Sequence, residues 1–165
     1  NEKKIDKVFI WSLIRKESSF YLKAKSPRGA RGLMQIMPST ARVVTGNRSI
    51  RGSNLWKLND LGYNISIGQD LLLRLMNKDD ISDLLIPLLM SWNAGPTKFK
   101  KWHKKIKIHS DPLLYIESIP SYETRWFVKK VLKNIWMYRD KLEQNKLSRK
   151  ALSNNFWPKY INLSF

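Results

Sequence analysis

The sequence contains no cysteine and only two histidines, His103 and His109. The absence of cysteine excludes disulfide bonds and thiolate metal sites, and two histidines are too few for a histidine metal cluster. We therefore predict that the protein uses no metal and no other cofactor.

Long apolar runs are also missing. The longest, Leu84 to Met90, contains Pro87 and is far shorter than the roughly 20 apolar residues of a transmembrane helix, so no membrane span is expected. The chain begins with Asn1-Glu2-Lys3-Lys4, without an initiator methionine or a signal-peptide pattern. We interpret this start as that of a mature or excised fragment.

Acidic residues are scarce: 13 Asp and Glu stand against 31 Lys and Arg, which gives a formal net charge of +18. A charge of this size attracts polyanions, so an anionic cell-wall or membrane surface and nucleic acid are all candidate partners. The alternative is a lysine-rich surface that serves only solubility. Charge alone therefore indicates a class of partner and does not identify one.

The apolar residues that are present recur at helical spacing and rarely alternate as they do in strands. There is no internal repeat, and 42% hydrophobic residues in a chain of 165 suffice for one buried core. We predict a mainly α single domain over residues 1–165, with at most a very small β element at Leu33 to Met37. The tail, residues 145–165, should pack back on the body through Phe156, Trp157 and Tyr160.

Capping residues and prolines mark the expected helix starts. Helices are predicted after Asp6, at Pro38, from Asn64 to about Asn77, from Ser82 or Asp83 through Leu89 with a stop at Asn93 to Pro96, at Asp111-Pro112, and from Ser121 to about Leu142. Between Thr45 and Asn54 we expect a basic, flexible loop.

One carboxylate occupies a position where packing would favour an apolar side chain. The first helix carries an apolar stripe at the spacing of one buried face, made by Phe9, Ile10, Leu13 and Ile14. The next position on this stripe is Glu17. Loss of hydration there would raise the pKa of the carboxyl toward the working pH of a general acid. The stripe alone also fits a glutamate that turns to solvent or pairs with Arg15 or Lys16.

Short segments that begin at Glu17 form an ordered series along the chain. They are Glu17 to Phe20, Ser26 to Ala30, Gly32 to Pro38, Thr40-Ala41, Asn64-Ile65 with Gly68, Trp92 to Pro96, Glu117 to Pro120, and Glu123 to Arg125 with Val128. In this order and with these gaps the segments resemble the lytic transglycosylase family, and most closely its soluble branch. The resemblance covers residues 5 to about 140.

This resemblance implies a helical fold similar to goose-type lysozyme, in the C-terminal part of a longer protein of the periplasm or cell envelope. The implied activity is cleavage of the β-1,4 bond between N-acetylmuramic acid and N-acetylglucosamine in peptidoglycan strands, with formation of a 1,6-anhydro end. Glu17 matches the family's general acid and base. Substrate contacts carry over by position to Ser26, Gln35, Met37, Trp92, Asn93 and Glu123. A monomer is expected.

The sequence departs from the family at three positions where tyrosine is common. Trp92 stands before Asn93, and Leu72 and Phe127 replace the other two. None of these side chains has the phenolic oxygen of tyrosine. Hydrogen bonding at these positions must therefore be provided differently or be lost.

Three other functions fit parts of the sequence. A goose-type lysozyme-like hydrolase would share the fold and add water at each cut. A basic nucleic-acid-binding module is suggested by the lysine-rich segment Lys98 to Lys105, although no named nucleic-acid motif is present and no specific nucleic acid is expected. A relative that has kept the groove and lost the activity is the third.

Overall fold

The computed structural model describes residues 5–162, which form a helical body. Their helices are α1 Lys7–Ser18, α2 Pro38–Thr45, the 3-10 helix η1 Gly52–Asn59, α3 Leu61–Met76, α4 Leu85–Ala94, α5 Pro96–Lys105, α6 Pro112–Glu117, α7 Tyr122–Lys141 and α8 Leu147–Ser153. The mainly α prediction is confirmed. Residues 1–4 and 163–165, which belong to the predicted domain and tail, lie outside the described residues.

Polar side chains cap several helices where the sequence predicts them. The Asp6 carboxylate accepts from the backbone N–H of Phe9 at 3.0 Å, and Asp111 and Ser121 cap α6 and α7 in the same way. The third helix begins earlier than predicted, at Leu61, because the Asp60 carboxylate accepts from the N–H of Tyr63 and caps it there.

The predicted cap of α4 is wrong. This helix begins after Leu84, and no side chain among residues 5–162 caps it. The tail pairs with the backbone at the start of this helix instead. Leu85 N–H donates to the backbone oxygen of Pro158, and the N–H of Tyr160 donates to the backbone oxygen of Asp83. The helix runs to Ala94, within the predicted stop at Asn93 to Pro96.

Three helices, α5, η1 and α8, and one turn differ from the sequence-based expectation. Helix α5 was not predicted, because its lysine-rich segment buries only Phe99. The last three residues of the predicted basic loop, from Gly52 to Asn54, begin η1. The expected strand at Leu33 to Met37 is a turn, since Gly32 and Gln35 adopt left-handed backbone angles, with φ of 75° and 48°. Strand-like pairing within residues 5–162 is limited to isolated bridges such as Arg31 with Ile36.

Helices α1 and α7 pack as an antiparallel pair. At one end the Arg139 guanidinium lies 2.9 Å from the Asp6 carboxylate, and both side chains are buried. In the middle of the pair, Asn134 Nδ2 donates to the backbone oxygen of Ser12. At the other end, the ammonium of Lys16 lies over the ring of Phe127. The pairing places the end of α1 beside the start of α7.

The tail returns to the same helices. The hydroxyl of Tyr160 accepts from Asp6 N–H at 2.8 Å, its ring packs on Phe9, and Trp157 Nε1 donates to the oxygen of His109. Phe156 does not pack as expected, because 68% of it is exposed. None of the helices formed by residues 5–162 combines the length and apolar character needed to cross a bilayer.

Candidate active site

One cleft contains every residue predicted from the sequence to belong to a site. The cleft has a volume of about 410 Å³, and its lining includes Glu17, Ser26, Gln35, Met37, Trp92, Asn93 and Glu123. The rest of the lining was not singled out as a site from the sequence: Pro27, Arg28, Ala30, Ile36, Thr40 and Leu71. The volume falls in the range of roughly 300–1,000 Å³ that is common for ligand sites.

Glu17 lies in the last turn of α1. The helix ends at Ser18, and the two residues that follow it, Ser19 and Phe20, have left-handed backbone angles. The side chain is half-buried, and burial of its carboxyl raises the pKa from 4.5 to about 7. Glu123 raises this pKa further by charge repulsion, while a hydrogen bond from Trp92 and the charge of Lys16 lower it. The carboxyl therefore exchanges protons near neutral pH.

Trp92 contacts the Glu17 carboxyl directly. It lies in the last turn of α4, and its indole Nε1 donates to Glu17 Oε1 at 2.8 Å. An indole N–H can donate but cannot accept. The bond therefore selects one of the two carboxyl oxygens as an acceptor.

A second hydrogen bond joins the end of α4 to the start of α7. The hydroxyl of Thr124 donates to Asn93 Oδ1 at 2.7 Å, and Thr124 is buried. This bond fixes the orientation of the Asn93 amide in the cleft wall. Thr124 was not predicted as a site residue, although it lies in the Glu123-Thr124-Arg125 segment that signalled the resemblance.

The loop between α1 and α2 forms the opposite wall. Ser26 Oγ accepts from the N–H of Ala30, and Gln35 Nε2 donates to the backbone oxygens of Ala24 and Gly32. Ser26 and Gln35 therefore shape the loop in addition to lining the cleft. Met37, at the start of α2, is 37% exposed.

Asn64 holds this loop from behind. Its side chain is fully buried; Oδ1 accepts from Met34 N–H at 2.8 Å, and Nδ2 donates to the oxygens of Arg31 and Leu58. A Cβ added at Gly32 would lie 2.2 Å from that same Leu58 oxygen. The loop can therefore approach η1 and α3 this closely only because residue 32 is a glycine and because the Asn64 amide pairs with the loop backbone.

The other two departures from the family pattern are away from the cleft lining. Leu72 and Phe127 are buried in the core, and the leucine beside the first, Leu71, faces the cleft instead. Among residues 5–162 there is no group of three or more His, Cys, Asp or Glu side chains able to hold a metal ion.

Comparisons with known proteins give relatives in sequence and in fold. The family model described as the transglycosylase SLT domain matches residues 1–113. The soluble lytic murein transglycosylase of Escherichia coli K12 is 37% identical over 138 residues, which are 83% of this chain and 21% of that protein. The chain thus spans about a fifth of the length of this curated relative.

Two solved structures share the fold. The 70-kDa soluble lytic transglycosylase of Escherichia coli superposes with a TM-score of 0.80 at 33% identity, over 96% of this chain and 25% of that one. An inactive mutant of the lytic transglycosylase Slt from Pseudomonas aeruginosa, in which a glutamate is replaced by glutamine, gives a TM-score of 0.71 at 28% identity, over 96% and 24% of the two chains.

Proposed function

The chain belongs to the transglycosylase SLT domain family, and from this premise we propose that it cleaves peptidoglycan strands as a lytic transglycosylase with Glu17 as its single acid and base. The main support is the half-buried Glu17 carboxyl, whose pKa of about 7 lets it both give and accept a proton at neutral pH. The inactive glutamate-to-glutamine mutant of the Pseudomonas relative is consistent with one essential carboxyl.

In the proposed reaction, protonated Glu17 gives its proton to the glycosidic oxygen between N-acetylmuramic acid and N-acetylglucosamine. The bond from C1 to that oxygen breaks, and the departing sugar leaves with a hydroxyl group. The Glu17 carboxylate then takes the proton from the C6 hydroxyl of the muramic residue, whose oxygen bonds to C1 and closes the 1,6-anhydro ring. Glu17 ends the cycle protonated, and no water is consumed.

Most glycosidases need two carboxylates, the second as a nucleophile or as the base that activates water. Glu123 is the other carboxylate among the residues that line the cleft in the described part of the chain, and we assign it to substrate contact, with Ser26, Gln35, Met37 and Asn93. Mass spectrometry of digested peptidoglycan tests this assignment. We expect anhydro products that are lighter by one water than the muramidase products, whereas hydrated ends would show a lysozyme-like hydrolase.

We also propose that Trp92 sets which Glu17 oxygen carries the proton. The indole N–H only donates. In a protonated carboxyl the stronger acceptor is the carbonyl oxygen, so the indole is expected to donate to that oxygen. Glu17 Oε1 accepts this bond, so the acidic proton resides on Oε2. Trp92 is in this role a positioning residue, and it provides in a different form the hydrogen bond that a tyrosine hydroxyl could make.

Trp92→Phe tests this role through the pH dependence of the rate. Loss of the hydrogen bond removes an interaction that lowers the pKa of Glu17, so the alkaline limb of the kcat profile should move to higher pH. At its optimum we expect kcat to fall about 10-fold, since a hydrogen bond to a charged group is worth roughly 1.5 kcal/mol or more.

Trp56→Phe is the matched control, because Trp56 lies on η1 with 63% of its surface exposed and does not line the cleft. This variant should keep both the rate and the profile. A Trp92→Phe profile with an unchanged alkaline limb would show that the indole does not act on the Glu17 proton.

We place the protein in the periplasm or cell envelope, as a monomer on peptidoglycan strands. The net charge of +18 favours an anionic cell-wall or membrane surface close to this substrate. The lysine-rich segment that suggested nucleic acid forms α5, an amphipathic helix with Phe99 buried and its lysines exposed. Core packing of one face explains this pattern without a nucleic-acid ligand.

A further inference from the structure

Two large aromatic side chains are exposed on α7. Tyr122 is 72% exposed and Trp126 is 46% exposed. Their rings are parallel to within 9°, with centroids 6.5 Å apart. Because residues four apart are neighbours on a helix surface, the two stacked rings form one exposed aromatic cluster, here called the aromatic platform.

The platform adjoins the cleft. Glu123, which lines the cleft, directly follows Tyr122 in the sequence and is three residues before Trp126. Residues three apart on a helix have Cβ atoms roughly 5–6 Å apart. A chain molecule that leaves the cleft past Glu123 therefore reaches the platform within the length of one sugar residue.

Cationic side chains surround the platform. The ammonium of Lys130 lies over the Trp126 ring, 4.4 Å from its centroid. Arg125 and Lys129 line a concavity together with both aromatic rings and Glu117. Lys129 pairs with the carboxylate of Glu117, and Arg125 Nη1 donates to the backbone oxygen of Glu117 at 2.8 Å. The surface thus combines flat apolar faces with positive charge.

We propose that Tyr122 and Trp126 bind the part of a peptidoglycan strand that extends beyond the cleft, an inference that rests on the proposed function. A sugar ring presents an apolar C–H face that packs on an aromatic ring, while the hydroxyl groups at its edge stay in water. The muramic residues of the same strand carry carboxylate-bearing substituents, which the cations beside the platform attract.

A strand fits this surface better than a protein partner does. Interface cores between proteins are depleted in lysine, whereas two lysines lie directly beside the two rings. Lys129 lines the same concavity, and Lys130 lies over the Trp126 ring. The platform also adjoins the cleft, and a linear ligand can occupy both surfaces at once. Strand length should consequently matter: a long strand would contact the platform, and a fragment that fills only the cleft would not.

The test compares long and short substrates in a double variant, Tyr122→Ala with Trp126→Ala. The substrates are uncrosslinked glycan strands from purified sacculi and a tetrasaccharide of alternating N-acetylglucosamine and N-acetylmuramic acid. We expect the ratio of kcat/KM for strands to kcat/KM for tetrasaccharide to fall about 10-fold, which corresponds to about 1.4 kcal/mol. Trp56→Ala, which removes another exposed tryptophan away from the platform, should keep the wild-type ratio.

Binding separates this inference from the proposed function. In the Glu17→Gln background, the double variant should bind strands about 10-fold more weakly than Glu17→Gln alone, and Tyr122→Phe with Trp126→Phe should restore binding. An unchanged ratio and unchanged strand binding would overturn the platform while leaving the catalytic proposal intact. If the wild type cleaves neither substrate, the catalytic proposal fails, and the binding comparison still decides the role of the platform. A double variant that changes only self-association would also overturn it.

Discussion

We expect Glu17→Gln to lower the rate of strand cleavage by about 10³-fold or more and to leave the protein folded. The amide can neither protonate the glycosidic oxygen nor take the proton of the C6 hydroxyl, so both proposed steps lose their proton carrier. A single general acid or base commonly contributes about 10²–10⁴-fold. Release of soluble fragments from sacculi, followed by chromatography, measures the loss.

The matched control for this prediction is Glu123→Gln. It removes the other cleft carboxylate, for which we propose only substrate contact, so its loss of kcat should be much smaller than that of Glu17→Gln. Near-normal turnover by Glu17→Gln, or an equal loss in both variants, would contradict the assignment of Glu17 as the single acid and base.

Stability provides an independent check on the fold of Glu17→Gln. The folded-state pKa of Glu17 is about 7, above its ordinary value of 4.5. The folded protein therefore holds this proton more tightly than the unfolded chain does, and wild-type stability from this group declines as pH rises between these two values. Glutamine has no charge to bury, so the variant should be at least as stable as the wild type at pH 8. Thermal unfolding at pH 5 and pH 8 measures the difference.

Asn64→Ala lowers the free energy of unfolding by about 3 kcal/mol. The substitution leaves the N–H of Met34 and the oxygens of Arg31 and Leu58 without the amide that pairs with them. Each buried polar group left unpaired costs roughly 1–3 kcal/mol, and part of this is recovered if water enters. Urea denaturation followed by circular dichroism measures the change.

Asn59→Ala is the matched control. Asn59 ends η1, and its buried Oδ1 has no hydrogen-bond partner in the described part of the chain, so truncation removes no bond to that oxygen. Its effect on the free energy of unfolding should be clearly smaller. Equal effects of the two variants would mean that Asn64 does not hold the loop through its hydrogen bonds.

Local sequence signals predicted the ends of the helix pair well. Asp6 and Ser121 cap α1 and α7 where expected, because a cap depends on residues only three positions away. Helical periodicity placed Glu17 on the apolar stripe of α1, and the resemblance predicted that it lies in a groove. Helix α5 was missed because its lysine-rich segment was interpreted from its charge, although the burial of Phe99 gives the helix one packed face.

The contacts that shape the site could not be read from the sequence. The bond between Trp92 and Glu17 joins residues 75 positions apart, and that between Thr124 and Asn93 joins residues 31 apart. Residue type and sequence spacing do not predict either of these partners, because only the folded backbone brings the side chains together. The resemblance placed all the predicted residues in one region, and their individual roles stay predictions.

The buried Asp6 and Arg139 pair lies at the end of α1 opposite Glu17, about 16 Å away along the helix axis. A substitution that breaks this buried ion pair should lower the free energy of unfolding. Because the pair lies far from the Glu17 carboxyl, it stabilises the helix pair without contacting the proposed proton donor.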